Sequence, residues 1–120
     1  FTLDVALDRT QYKAGDYLTM DLDPSKSMYV AVFNWTEDYG FVLLVNKKIN
    51  NKTQLPDDPR IQWRTFLNDD KPSDEMMVVL ASNMPMNFKM KYTDKEFIMI
   101  SQKLAKMGVL VRKISFTINP

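Results

Sequence analysis

Three short apolar runs constrain this chain most. Residues 28–33, 41–45 and 76–81 carry no charge and are rich in Val, Leu, Phe and Met. Each is too short for a buried helix, so each reads as a strand covered on both faces. The first two are separated by Asn34-Trp35-Thr36-Glu37-Asp38-Tyr39-Gly40, which reads as a hairpin loop. A sheet with such strands at its centre needs apolar cover on each side.

The rest of the chain supplies that cover. Leu3, Val5 and Leu7 alternate with Asp4, Ala6 and Asp8, and Leu18, Met20 and Leu22 alternate with Thr19, Asp21 and Asp23. Period-two alternation predicts two half-buried strands, with turn residues between them over 10–16. Near the other end, Thr93 and Glu96 have the spacing of a capping box, followed by Phe97, Ile100, Leu104 and Met107 at helical intervals. Lys103, Lys106 and Gly108 mark the helix end, so a helix is predicted over 93–107. Residues 109–118 then read as a closing strand. Polar stretches at 46–60 and 68–75 read as surface loops, 61–67 as a weakly patterned strand, and 83–91 as irregular.

These elements predict a mainly β, two-layered antiparallel β-sandwich-like domain with one C-terminal α-helix packed on it. With 120 residues, the chain fits one domain over 1–120 and buries roughly two-thirds of its unfolded surface. It starts at Phe1 directly inside an alternating pattern, which suits a processed chain or a domain excised from a larger protein.

Composition narrows function by exclusion. The chain has no Cys and no His, which removes thiolate chemistry, the usual neutral-pH base and the commonest metal ligands. Its 16 basic and 15 acidic residues leave a net charge of +1, too little for a nucleic-acid-binding field. No apolar run reaches the ~18 residues of a membrane span. No phosphate-cradling glycine loop or serine-nucleophile motif occurs.

Four feature sets remain. Asp4, Asp8, Asp21 and Asp23 fall on the polar side of neighbouring strands; a solvated face explains them better than calcium, whose ligands come from loops. The acidic pairs Glu37-Asp38, Asp57-Asp58, Asp69-Asp70 and Asp74-Glu75 fall in loops, where solvation opposes the burial that acid–base catalysis needs. Methionines crowd the C-terminal half, and Met84 and Met86 suit an adaptable protein-binding patch better than a copper site. Trp35, Tyr39 and Trp63 are aromatic candidates for anchoring a protein or stacking on sugar, or else for covering the sheet end. Asn34-Trp35-Thr36 and Asn51-Lys52-Thr53 also match glycosylation acceptors.

Several motifs are familiar together. Tyr12-Lys13-Ala14-Gly15-Asp16-Tyr17-Leu18 resembles a Tyr-x-x-Gly-Asp-x-Leu approach to a strand. Met28-Tyr29-Val30-Ala31-Val32-Phe33-Asn34, followed by Gly40-Phe41-Val42-Leu43-Leu44-Val45-Asn46, resembles a paired-strand core ending in Asn, and Met76 to Ser82 resembles a later strand closing on Ala-Ser. Over residues 1–83 the chain is similar to the bacterial family known as domain of unknown function 4384. It departs from that pattern in having Leu44-Val45-Asn46 where a Pro usually precedes the Asn, and in lacking a glycine before Met76. The resemblance implies a non-enzymatic β module of exported proteins and lipoproteins, in the periplasm or at the outer membrane, and carries over no catalytic residue. The expected function is a cell-envelope interaction module that docks a protein partner without cofactor or metal. The alternative is a carbohydrate- or peptidoglycan-binding module using exposed aromatics.

Overall fold

The computed structural model describes residues 1–120. Twelve elements follow in order: β1 (Leu3–Leu7), β2 (Gln11–Lys13), β3 (Tyr17–Leu18), β4 (Met20–Pro24), β5 (Met28–Thr36), β6 (Gly40–Ile49), β7 (Thr53–Leu55), β8 (Trp63–Arg64), β9 (Ser73–Ser82), β10 (Lys91–Tyr92), α1 (Asp94–Lys106) and β11 (Leu110–Asn119). A six-stranded sheet runs β10-β6-β5-β9-β11-β2, a three-stranded sheet runs β1-β4-β7, and β3 pairs with β8 as a separate ribbon. The mainly β, layered architecture with one helix is thus the observed one.

Strand β5 organises it. Val30, Val32 and Met28 point into an inner core with Leu3, Met20, Leu22 and Leu55 of the small sheet. Ala31 and Phe33 point the other way, into a second core under α1 with Phe41, Val78, Leu80 and Phe97. Residues 30–33 of β5 are all fully buried, as their unbroken apolar run predicts. β9 behaves alike: Met77 and Val79 enter the inner core, and Val78 and Leu80 the helix core.

The helix is built as its sequence directs. The Thr93 hydroxyl accepts from the Glu96 backbone N–H at 3.2 Å, and the Glu96 carboxylate accepts from the Thr93 N–H at 2.9 Å, closing the capping box. Phe97 is its buried anchor, stacked on Phe41 at 4.0 Å between ring centroids and edge-on to Phe33 at 4.9 Å. At the C-terminus the Val109 N–H bonds the Leu104 carbonyl and the Gly108 N–H bonds the Ala105 carbonyl, around Gly108 at φ 88°.

Several expectations are corrected. Met107 leaves the predicted apolar stripe and is 71% exposed, because the left-handed Gly108 turns the chain and puts Val109 into the core in its place. The continuous run 41–45 is not doubly buried: Leu44 is exposed, and Val42 and Leu43 are only half-buried. Here β6 bulges between the positions opposite Val32 and Phe33, and its outer neighbour β10 pairs only with Phe41 and Val42. Gly40 permits that pairing, since a Cβ there would lie 2.6 Å from the Tyr92 carbonyl oxygen. The presumed loop 46–60 contains the end of β6 and all of β7, whose Leu55 is fully buried. The presumed turn 10–16 contains β2, which pairs with β11 in parallel, the one departure from antiparallel pairing. Tyr12 of β2 is buried, and its hydroxyl donates to Asp8 at 2.7 Å.

Contrasting substitutions on paired strands test this arrangement. Val30→Asp should abolish cooperative folding, because an unpaired carboxylate in the inner core costs several kcal/mol, of the order of the whole stability. Leu44→Asp, on the open side of the bulge, should shift the denaturant midpoint little. Equal losses in both variants would contradict the asymmetry between β5 and β6.

Candidate functional site

The three-stranded sheet is shorter than the sheet it covers. It stacks on one end of the inner face of β5, β9 and β11 and leaves the other end to the segment between β7 and β9. What remains is an open cleft of ≈ 680 Å³. Its floor is formed by Asn34, Glu75, Met77 and Phe116, its near wall by the 36–39 turn with Val42 and Leu44 of β6, and its far wall by residues 62–72. The size suits a small ligand or a short chain segment.

The aromatic candidates divide at this cleft. Tyr39, 43% exposed, stands on the near wall and Trp63 on the far wall, where its ring also packs on the inner core. Trp35 is not in a loop: β5 continues through Thr36, and alternation turns Trp35 to the face opposite Asn34. It borders the cleft, but its indole packs against the helix core and its Nε1–H donates to Asp94 at 2.8 Å. Trp35 therefore ties the hairpin to the helix start, the covering role rather than a free stacking one. Phe66, 61% exposed, joins the cleft wall. Sequence reasoning missed it, because the loose alternation of 61–67 does not say which of its apolar residues face outward.

The methionine segment splits: Met84 and Met90 are exposed, but Met86 is not. Met86 is buried in the helix core, and Asn46 donates to its carbonyl at 2.8 Å. Met84 stays 68% exposed, away from the cleft.

Glu75 is the least expected member. The polar 68–75 stretch reads as a solvated loop, but β9 begins at Ser73 and carries Glu75 onto the inner face of the sheet. Its carboxylate accepts from the Asn34 side-chain amide at 3.4 Å and from the Ser73 hydroxyl at 3.1 Å. Burial pushes the Glu75 carboxyl above the ordinary glutamate range, and these two hydrogen bonds pull against that shift without cancelling it. Asn34, with its side chain held at the cleft floor, is therefore tied into the fold, whereas Asn51 lies exposed in a turn.

The other acidic sets disperse. Asp4 lies directly opposite Asp23 on the outer face of the small sheet, and Asp21 accepts from Gln54 at 3.1 Å. Asp8 is elsewhere: burial opposes its ionisation, but the Thr19 N–H, the Tyr12 hydroxyl and Arg9 outweigh that and hold its carboxyl low. No three acidic side chains in the chain come close enough together to share a metal ion. No helix is long and apolar enough to cross a membrane. No family model, curated protein or solved structure matches the chain.

Glu75 has a sign that can be measured. Its folded-state carboxyl binds a proton more tightly than in the unfolded chain, so ionising it costs stability as pH rises from about 4.3, the unfolded value, through the raised folded value. Glu75→Gln should therefore gain stability relative to wild type across that window. The check is thermal melts of both proteins from about pH 4 to 7. A difference that stays flat over that range would remove Glu75 from the cleft's titrating groups.

Proposed function

We propose that this domain is a non-enzymatic interaction module of a bacterial cell-envelope protein, and that it docks a protein partner through the cleft. The observation that carries the reading is convergence. Residues from β5, β6, β8, β9 and β11, distant in sequence, meet around one open hollow, where Tyr39, Trp63 and Phe66 offer apolar area with little conformational entropy to lose. Trp35 and Met86 are committed to packing, which leaves the cleft as the aromatic docking surface.

The non-enzymatic part rests on the groups present. Glu75 is the one carboxyl raised by burial, and its partners are an amide and a hydroxyl rather than a second carboxylate. The envelope placement rests on the family resemblance of residues 1–83. A second reading, glycan or peptidoglycan binding at the same cleft, is favoured by the amides of Asn34 and Asn68 beside the rings, since saccharide hydroxyls pair with such groups.

Capture from envelope extracts of the native host separates the readings. Tyr39→Ala/Phe66→Ala removes two exposed rings and should leave the melt near wild type while losing a specific protein partner. Met84→Ser should retain that partner. Equal recovery by all three proteins would sink the cleft as the docking surface. Retention on purified peptidoglycan, lost in the double variant, would establish the glycan reading instead.

A further inference from the structure

The charge of the cleft goes further than its shape. Glu37, Asp38, Asp69 and Glu75 line it, against Arg64 and Lys71, while Asp74 turns to the opposite face of the sheet beside Thr117. The protein has five ion pairs, Asp8–Arg9, Asp16–Arg9, Asp57–Lys47, Asp58–Arg60 and Glu96–Lys89, and none involves a cleft carboxylate. Three of them are held by neutral donors instead. Asp38 accepts from the Asn68 amide at 3.0 Å, Asp69 from the Lys71 backbone N–H at 2.9 Å, and Glu75 from Asn34 and Ser73.

Neither cleft cation answers them. The Arg64 guanidinium lies over the Gly15 turn, where a Cβ on Gly15 would be 3.6 Å from its Nη2, and Lys71 makes no ion pair. Lys91 already sets its ammonium 5.6 Å from the Tyr39 ring centroid, so the open ring faces are those of Trp63 and Phe66. A half-enclosed hollow with net negative charge beside such rings attracts a cation by its field and by the ring faces. The carboxylates are spread along the walls and do not gather around one point, so they do not fit a compact metal ion. A cation carried on an apolar stem, which spans the distance between acids and rings, fits them.

From this cavity we infer that the occupant of the cleft is a lysine-bearing segment of the protein partner, its ammonium groups set against the wall carboxylates and its alkyl stems against Tyr39, Trp63 and Phe66. The inference rests on the cleft being the docking site and adds the chemistry of what docks there.

The test is amide chemical-shift titration of the domain with three probes: tetralysine, neutral chitotetraose and spermidine. Tetralysine should move the amides of residues 36–39 and 62–75. Raising salt from ~0.05 to ~0.5 M should weaken it by ~10-fold. Asp38→Asn/Asp69→Asn should weaken it by ~5-fold or more with the melt unchanged. Tyr39→Ala/Phe66→Ala, which leaves the charge intact, should weaken it by ~3-fold or more. Chitotetraose moving the same amides as tightly, without salt dependence, would overturn the cationic ligand and keep the cleft. Spermidine binding as tightly as tetralysine would overturn the peptide source. Tetralysine shifts confined to the Asp4, Asp21 and Asp23 face would overturn the inference alone. If no probe moves the cleft and the ring variant also keeps its partner, the cleft reading falls with it.

Discussion

Double burial of β5 is the constraint on which the other elements depend. A strand with Val30 and Val32 on one face and Ala31 and Phe33 on the other needs an apolar layer on each side. The small sheet supplies one layer and α1 the other. Each layer is then shaped by the residue it meets. Phe33 is ringed by Phe88, Tyr92 and Phe97, so the helix and the segment before it must converge over that point. On the inner face, Val30 and Val32 meet Leu22 and Leu55, which fixes the small sheet over the first half of β5.

The cleft follows from a mismatch of lengths. β5, β6, β9 and β11 run nine or ten residues, whereas the strands of the small sheet run three to five. A short layer cannot cover a long one. Beyond its end the inner face changes chemistry, from Val32 and Val79 to Asn34 and Glu75, and the bulge at Leu44 bends β6 outward beside it. Asn34 and Glu75 stand where a longer sandwich would place apolar residues, so no further layer is required to cover that end of the sheet. The wall carrying Trp63 and Phe66 is loop rather than sheet, apart from the two-residue strand β8, and its Thr65 is pinned to the 13–16 turn through hydroxyl bonds to the Lys13 and Asp16 carbonyls.

Legibility in the sequence followed the range of the interactions involved. The helix was readable to its cap and its stop because Thr93, Glu96 and Gly108 act on their own neighbours. Runs 28–33 and 76–81 announced double burial because four or more apolar residues in a row have no other stable place in a sheet. The strands β2 and β7 were not readable: Gln11-Tyr12-Lys13 and Thr53-Gln54-Leu55 hold one large buried side chain each and are strands because β11 and β4 offer them partners. Run 41–45 misled for the converse reason, since Val42 and Leu44 face the cleft, where the small sheet has ended.

The sequence by itself determined the strand-rich class, the central hairpin, the capped helix and the absence of thiol and imidazole chemistry, because these depend on residue type and short spacing. Tertiary structure alone decided which aromatics pack and which line the cleft. Trp35 and Tyr39 are four residues apart, yet strand alternation and the Asp94 hydrogen bond assign Trp35 to packing, while the turn leaves Tyr39 at the cleft. Glu75, Phe66 and Asn34 become one site only when β9, the 62–72 segment and β5 are brought together, and no local pattern encodes a meeting across 41 residues of chain. The absence of an ion pair between Arg64 and the cleft carboxylates is likewise a property of where Arg64 points, which its neighbours in sequence do not reveal.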